Sequence, residues 1–108
     1  MSPFEILSKA QDLIRSPDHW AIESYAYDAN GTRVEPNATE ATCWCSLGAI
    51  QKILDQDDGL AEHVTFDLLG KAIDNPKTGA VPDFNDTHTH AEVMVMFDRA
   101  KELARAAT

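Results

Sequence analysis

Apolar residues recur along this chain at spacings that switch between the two regular periods of secondary structure. Over "SPFEILSKAQDLIRS", Phe4, Leu7, Ala10 and Ile14 fall three or four residues apart and Leu13 widens the stripe, which predicts an amphipathic helix. Ser2 is placed to cap it, and Pro3 takes the first helical position, where a missing N–H costs least. Ser16-Pro17 stops it, because proline disfavours helical geometry in the residue before. The period then changes. Tyr25, Tyr27 and Val34 favour extended backbone, and Asn30-Gly31 is a strong tight-turn signal, so the segment predicts a two-stranded hairpin with that pair at its tip. Pro36 ends the return strand or confines it to an edge.

Helical spacing resumes in "NATEATCWCSLGAIQKIL". Asn37 or Thr39 is a candidate cap, and Cys43, Leu47, Ile50 and Leu54 share one face. Cys45, Gly48 and Ala49 form a neighbouring strip of small residues that lets another element approach closely, and Asp57-Asp58-Gly59 breaks the pattern. A third helix follows from Leu60, Val64, Leu68 and Ala72, ending near Asn75-Pro76. Val64, Phe66 and Leu68 also alternate as in a strand, but the length of the segment favours a helix. Lys77 to Asp83 reads as a loop marked by Gly79 and Pro82. The last helix has the clearest start, a capping box of Thr89 with Glu92. Val93, Met96, Phe97, Ala100 and Ala104 are its buried stripe, Arg99, Lys101 and Arg105 suit its C-terminal half, and the off-stripe Met94 and Val95 predict cover on two sides. The expected architecture is a single α+β domain over residues 1–108, mostly helical. It has about four helices, one β-hairpin between the first and second, and the second and last helices at its centre.

Composition narrows the setting. A chain of 108 residues is one domain's worth, and 44% hydrophobic with 25% charged residues is ordinary for a soluble globular protein. No stretch approaches the roughly 18 apolar residues of a membrane span, and the N-terminal segment lacks the basic region and apolar run of a signal peptide. A cytoplasmic monomer or homodimer without membrane contact is expected, with Cys43 and Cys45 as thiols. The net charge of −9 is concentrated in residues 55–86, where eight acids face two bases. Such a chain repels phosphate backbones, so direct nucleic-acid binding is not expected. A solvated acidic surface accounts for the charge, and an acidic mimic of nucleic acid is the sharper alternative, though "LDQDDGLAEH" is a short stretch for it.

Three groups of residues could carry chemistry. Cys45 near a helix start could serve as a nucleophile, with His88 or His90 as base and Asn85 or Asp86 to orient it. The plain alternative is a small core cysteine. Zinc held by Cys43-x-Cys45 and His88-x-His90 is disfavoured, because residues two apart on a helix point to opposite sides. No metal is expected. His19 and His63 are isolated, and Trp20 and Trp44 read as core anchors with their indole N–H groups on loop carbonyls. The glycines are too scattered for a phosphate loop, so no cofactor is expected.

Trp20, "DANG" at 28–31, "WCSLGA" at 44–49 and "FND" at 84–86 together resemble the pattern of a family of small bacterial and phage proteins classed only as a domain of unknown function. The resemblance spans most of the chain. It implies that Cys45, in preference to Cys43, matches the family cysteine, with Asn85 and Asp86 as its polar pair, and it leaves His88 and His90 outside. Convergence of Trp44 and Cys45 on Asn85-Asp86 would form a small polar-edged ligand pocket. The leading expectation is therefore a non-enzymatic accessory module that binds a protein or a small molecule, with a phage or mobile-element role implied by the resemblance alone. A cysteine-nucleophile enzyme using Cys45, Asp86 and His88 is the alternative.

Overall fold

The computed structural model describes residues 1–54, 59–73 and 80–106. Helix α1 spans Pro3–Leu13 and opens with a full capping box: the Ser2 hydroxyl accepts the Glu5 N–H while the Glu5 carboxylate reaches back to the Ser2 amide. Its apolar face, Ile6, Leu7 and Ala10, is buried together with Ile14 just beyond its end. Pro17–His19 then makes one 3-10 turn.

Strand β1, Ala26–Asp28, pairs antiparallel with β2, Ala41–Trp44, in the register Ala26 with Trp44, Tyr27 with Cys43 and Asp28 with Ala41. The tight turn lies where the sequence predicts it. Gly31 takes the left-handed φ of 81° that Asn-Gly turns require, and the Asp28 carboxylate accepts the Asn30 and Thr32 amides across it. The expected return strand is different. After the turn the chain makes a single bridge, Tyr27 with Arg33, through the bonds Asp28 N–H to the Thr32 carbonyl and Val34 N–H to the Ala26 carbonyl. The sheet partner of β1 is residues 41–44, which the helical spacing had assigned to the second helix. The physical reason is that β1 offers an unpaired edge, and Trp44 fixes the pairing by donating its buried indole N–H to the Pro36 carbonyl at 2.8 Å.

Helix α2 therefore starts later, at Ser46, and runs to Leu54. Neither Asn37 nor Thr39 caps it; Cys45 does, its Sγ accepting the Gly48 N–H at 3.3 Å and its carbonyl the Ala49 N–H. Cys43 lies on a strand instead of in the buried helical stripe, while Leu47 and Ile50 are buried as expected. Helix α3, Gly59–Ala72, follows the predicted third helix, with Gly59 as its first residue rather than a breaker. The predicted stops at Asp57-Asp58 and Asn75-Pro76 lie outside the described residues.

A fifth helix stands where a loop to Asp83 was predicted. Helix α4, Ala80–Thr87, carries Pro82 at its third position, where no intrahelical donor is required, so the proline does not break it. Helix α5, His90–Ala106, begins at the Thr89–Glu92 capping box, and all five residues of its predicted stripe are buried. Of the two off-stripe residues, Met94 packs on the core and Val95 is 48% exposed, so the second covered side is only partial. The chain is α+β, with five α-helices and one two-stranded antiparallel sheet among the described residues. Helix α1, rather than the second and last helices, is the central element: it packs on both α2 and α5, and α3 covers α5. No helix among the described residues is long and apolar enough to cross a membrane.

Candidate functional site

Asn85 is fully buried on α4, and every polar atom of its amide is used. Its Oδ1 accepts the Trp20 indole N–H at 2.9 Å, the Ser46 backbone N–H at 3.0 Å and the Ser46 hydroxyl at 2.7 Å. An indole and a backbone amide can only donate, so the orientation of the amide is settled by its partners. Its Nδ2 donates to the Ala21 carbonyl at 2.9 Å and to Asp86 Oδ1 at 3.1 Å. One side chain thus joins α4 to the start of α2 and to the segment after the 3-10 turn.

Asp86, next on α4 and exposed, holds the following loop. Its Oδ1 accepts the Glu23 N–H at 2.9 Å, and Glu23 is in the left-handed region at φ 72°. That conformation costs a non-glycine residue on the order of 1 kcal/mol, which the charge-assisted bond to Asp86 offsets. The loop is fixed again two residues on, where the Tyr25 carbonyl accepts the Cys45 N–H at 3.2 Å. Gly48 makes this approach possible: a Cβ there would stand 2.0 Å from the Tyr25 carbonyl oxygen.

These contacts enclose a cavity of about 220 Å³ lined by Glu23, Ser24, Tyr25, Cys45, Pro82 and Asp86. Two of its lining groups, Glu23 and Asp86, are carboxylates, and Asp86 Oδ2 has no hydrogen-bond partner among the described residues. Cys45 is only 6% exposed. Burial pushes its thiol above the ordinary value, the Gly48 and Leu47 amides pull it down in part, and the nearby Asp86 charge pushes it up again. A helix start alone would lower a cysteine pKa, so desolvation outweighs the helix here.

The structure brings Cys45, Asn85 and Asp86 together, and it separates the rest. Trp44 is buried against Pro36 and does not line the cavity. His88 lies on the far side of α4, its ring stacked on Phe84, and His90 Nε2 is engaged at 2.8 Å by the Ile14 carbonyl. Neither histidine lines the Cys45 cavity. Cys43 on β2 and the divided histidines offer no shared metal position, and no group of three or more ligand side chains is arranged for a metal among the described residues. Trp20 differs from expectation in bonding a side chain, Asn85, and not a loop carbonyl. Glu23, Tyr25 and Pro82 went unnoticed as lining residues because nothing local marks them; Ser46, beside Cys45, carried at least the signal of a hydroxyl at a helix start.

A family model described as a family of unknown function, DUF6197, matches residues 1–103. The chain belongs to that family. The matched span contains both strands, helices α1 to α4 and nearly all of α5, so the Asn85 hub and the Cys45 cavity both fall inside the family's shared region. No curated protein and no solved structure matches significantly.

Proposed function

We propose that this member of the family is a binding module without chemistry of its own, and that the cavity beside Asp86 receives a cationic group from a protein partner or a small molecule. The observation that carries this reading is the asymmetry of the cavity. It offers two carboxylates, Glu23 and Asp86, with the buried Cys45 thiol behind them, and no histidine among the described residues lines it. A carboxylate with one free oxygen and a second carboxylate in the same lining suit an ammonium or guanidinium tip, which gains ion pairing and charge-assisted hydrogen bonds. The volume admits a side-chain tip or a small amine rather than a larger cofactor. The nucleophile reading needs an accessible, thiolate-prone Cys45, and the burial of the residue speaks against that.

The test is an NMR titration of the 15N-labelled chain with n-butylammonium and with Nα-acetyl-argininamide. Saturable shifts at Glu23 to Tyr25 and at Asp86, lost in Asp86→Asn, are expected. That variant keeps an acceptor for the Glu23 amide, so loss of binding reads the charge and not the loop. Absence of such shifts, or binding that survives Asp86→Asn, counts against the proposal.

A further inference from the structure

On the other side of α4 the end of α3 and the outer face of α5 enclose a second cavity of about 390 Å³, within the range of small-molecule sites. Ile73, Val95 and Met96 give it an apolar wall, and Phe84 and His88 an aromatic one. The two rings stack with centroids 3.8 Å apart and 15° between planes. His88 Nδ1 lies 3.0 Å from the Phe84 carbonyl and 3.0 Å from the Thr87 hydroxyl oxygen, whose own proton goes to the Asp83 carbonyl, so both neighbours accept from Nδ1, and Nε2 has no hydrogen bond among the described residues.

Arg99 closes the far end of this cavity. Every carboxylate near it on α5 is engaged by another group. Glu92 Oε1 accepts the Thr89 N–H and hydroxyl, and the Thr89 amide is the main cause that holds this carboxyl below the usual range. Asp98 accepts the Gln11 amide at 2.8 Å and faces Lys101 at 3.8 Å, and Glu102 pairs with Arg105. Arg99 itself makes no ion pair or hydrogen bond among the described residues. The Arg99 guanidinium is thus set in one lining with the 48% exposed Val95 and the buried Met96.

We propose that this cavity is a binding site for a small amphipathic monocarboxylate with an aromatic body. The carboxylate meets the Arg99 fork, which matches its geometry bidentately, and the ring lies between the Phe84–His88 stack and the Val95–Met96 wall. The charged Glu92 in the same lining disfavours a dianion and sets the orientation, carboxylate towards Arg99 and apolar end towards His88. The two cavities share no lining residue, so this site does not depend on the Cys45 reading.

The experiment is an NMR titration of the labelled chain with 3-phenylpropionate and, separately, with the neutral 3-phenylpropionamide. Saturable shifts are expected at Phe84, His88, Val95 and Arg99, with the acid binding about tenfold tighter than the amide or more. Arg99→Gln, at an exposed position, should abolish the preference for the acid, and Ala91→Trp, filling the exposed wall, should block both ligands. Equal binding of acid and amide, an unchanged preference in Arg99→Gln, or no saturable shifts at millimolar ligand would each overturn the proposal.

Discussion

At the scale of single residues the Asn85 amide decides most. Three donors converge on its Oδ1, and two of them, from Ser46, are buried with it. Asn85→Leu nearly conserves volume but leaves those donors without an acceptor, and each orphaned buried donor costs about 1–3 kcal/mol. A loss of about 3 kcal/mol or more in urea unfolding is expected. Asn85→Asp keeps the acceptor but loses both donated bonds and sets a second carboxylate against Asp86, so its deficit should shrink in acid as one of the pair takes a proton.

Cys45 gives the complementary residue-scale case. Burial raises its pKa above the ordinary 9.0, so its stabilising contribution is complete below that value and is lost as pH rises through the higher native pKa. Wild type should therefore lose stability on the alkaline side of 9.0 more steeply than Cys45→Ala, as read from urea midpoints over that range. In native alkylation the half-buried Cys43 should label ahead of Cys45. Prompt labelling of Cys45 below 9.0 would reverse that order and revive the nucleophile reading.

At the scale of elements, the start of α5 was legible because its capping box is complete within four residues, and that of α1 because Ser2 and Pro3 mark it side by side. Helix α4 was not, because Pro82 reads as a breaker unless its position relative to the helix start is known. The start of α2 depends on a contact that no local pattern contains, the seating of the Tyr25 carbonyl on its first turn. That seating is tested by a pair of glycines. Gly48→Ala drives a methyl into the backbone of Tyr25 and should destabilise by roughly 1–3 kcal/mol or more, since backbone yields poorly. Gly59→Ala, with open space around its Cβ, should be neutral or stabilise by up to about 1 kcal/mol in the same thermal-melt comparison. Equal effects at the two positions would mean that the loop does not sit on α2 as described.

At the scale of the whole molecule the dominant fact is uncompensated charge. The described ion pairs, such as Arg15 with Asp12 and Lys71 with Asp67, are all local, three or four residues apart along the chain and largely exposed. Pairs of that kind contribute little and tie no element to another. A net charge of −9 on 108 residues then acts mainly as self-repulsion, which salt screens. Raising ionic strength from a few millimolar to physiological should raise Tm by several degrees, corresponding to roughly 1 kcal/mol. A flat or falling Tm would show that the acidic surface does not oppose folding.

The sequence by itself determined α1 and α5, whose apolar stripes and starts are local, and the turn at Asn30-Gly31. It marked α3 as a helix but not its buried face, which is Thr65, Leu69 and Ala72, while the predicted Leu60 is 77% exposed. It also singled out Cys45, Asn85 and Asp86. Periodicity and capping are properties of a few neighbouring residues, so they survive without knowledge of the fold. Only the tertiary structure decided that residues 41–44 form a strand, that Ala80–Thr87 are a helix, and that α1 is central. Strand pairing is chosen by a partner far along the chain, and burial by what packs on a face. The tertiary structure alone also parted His88 from Cys45. The two lie on opposite sides of α4, and a separation along the chain carries no information about which side of a helix a distant residue will meet.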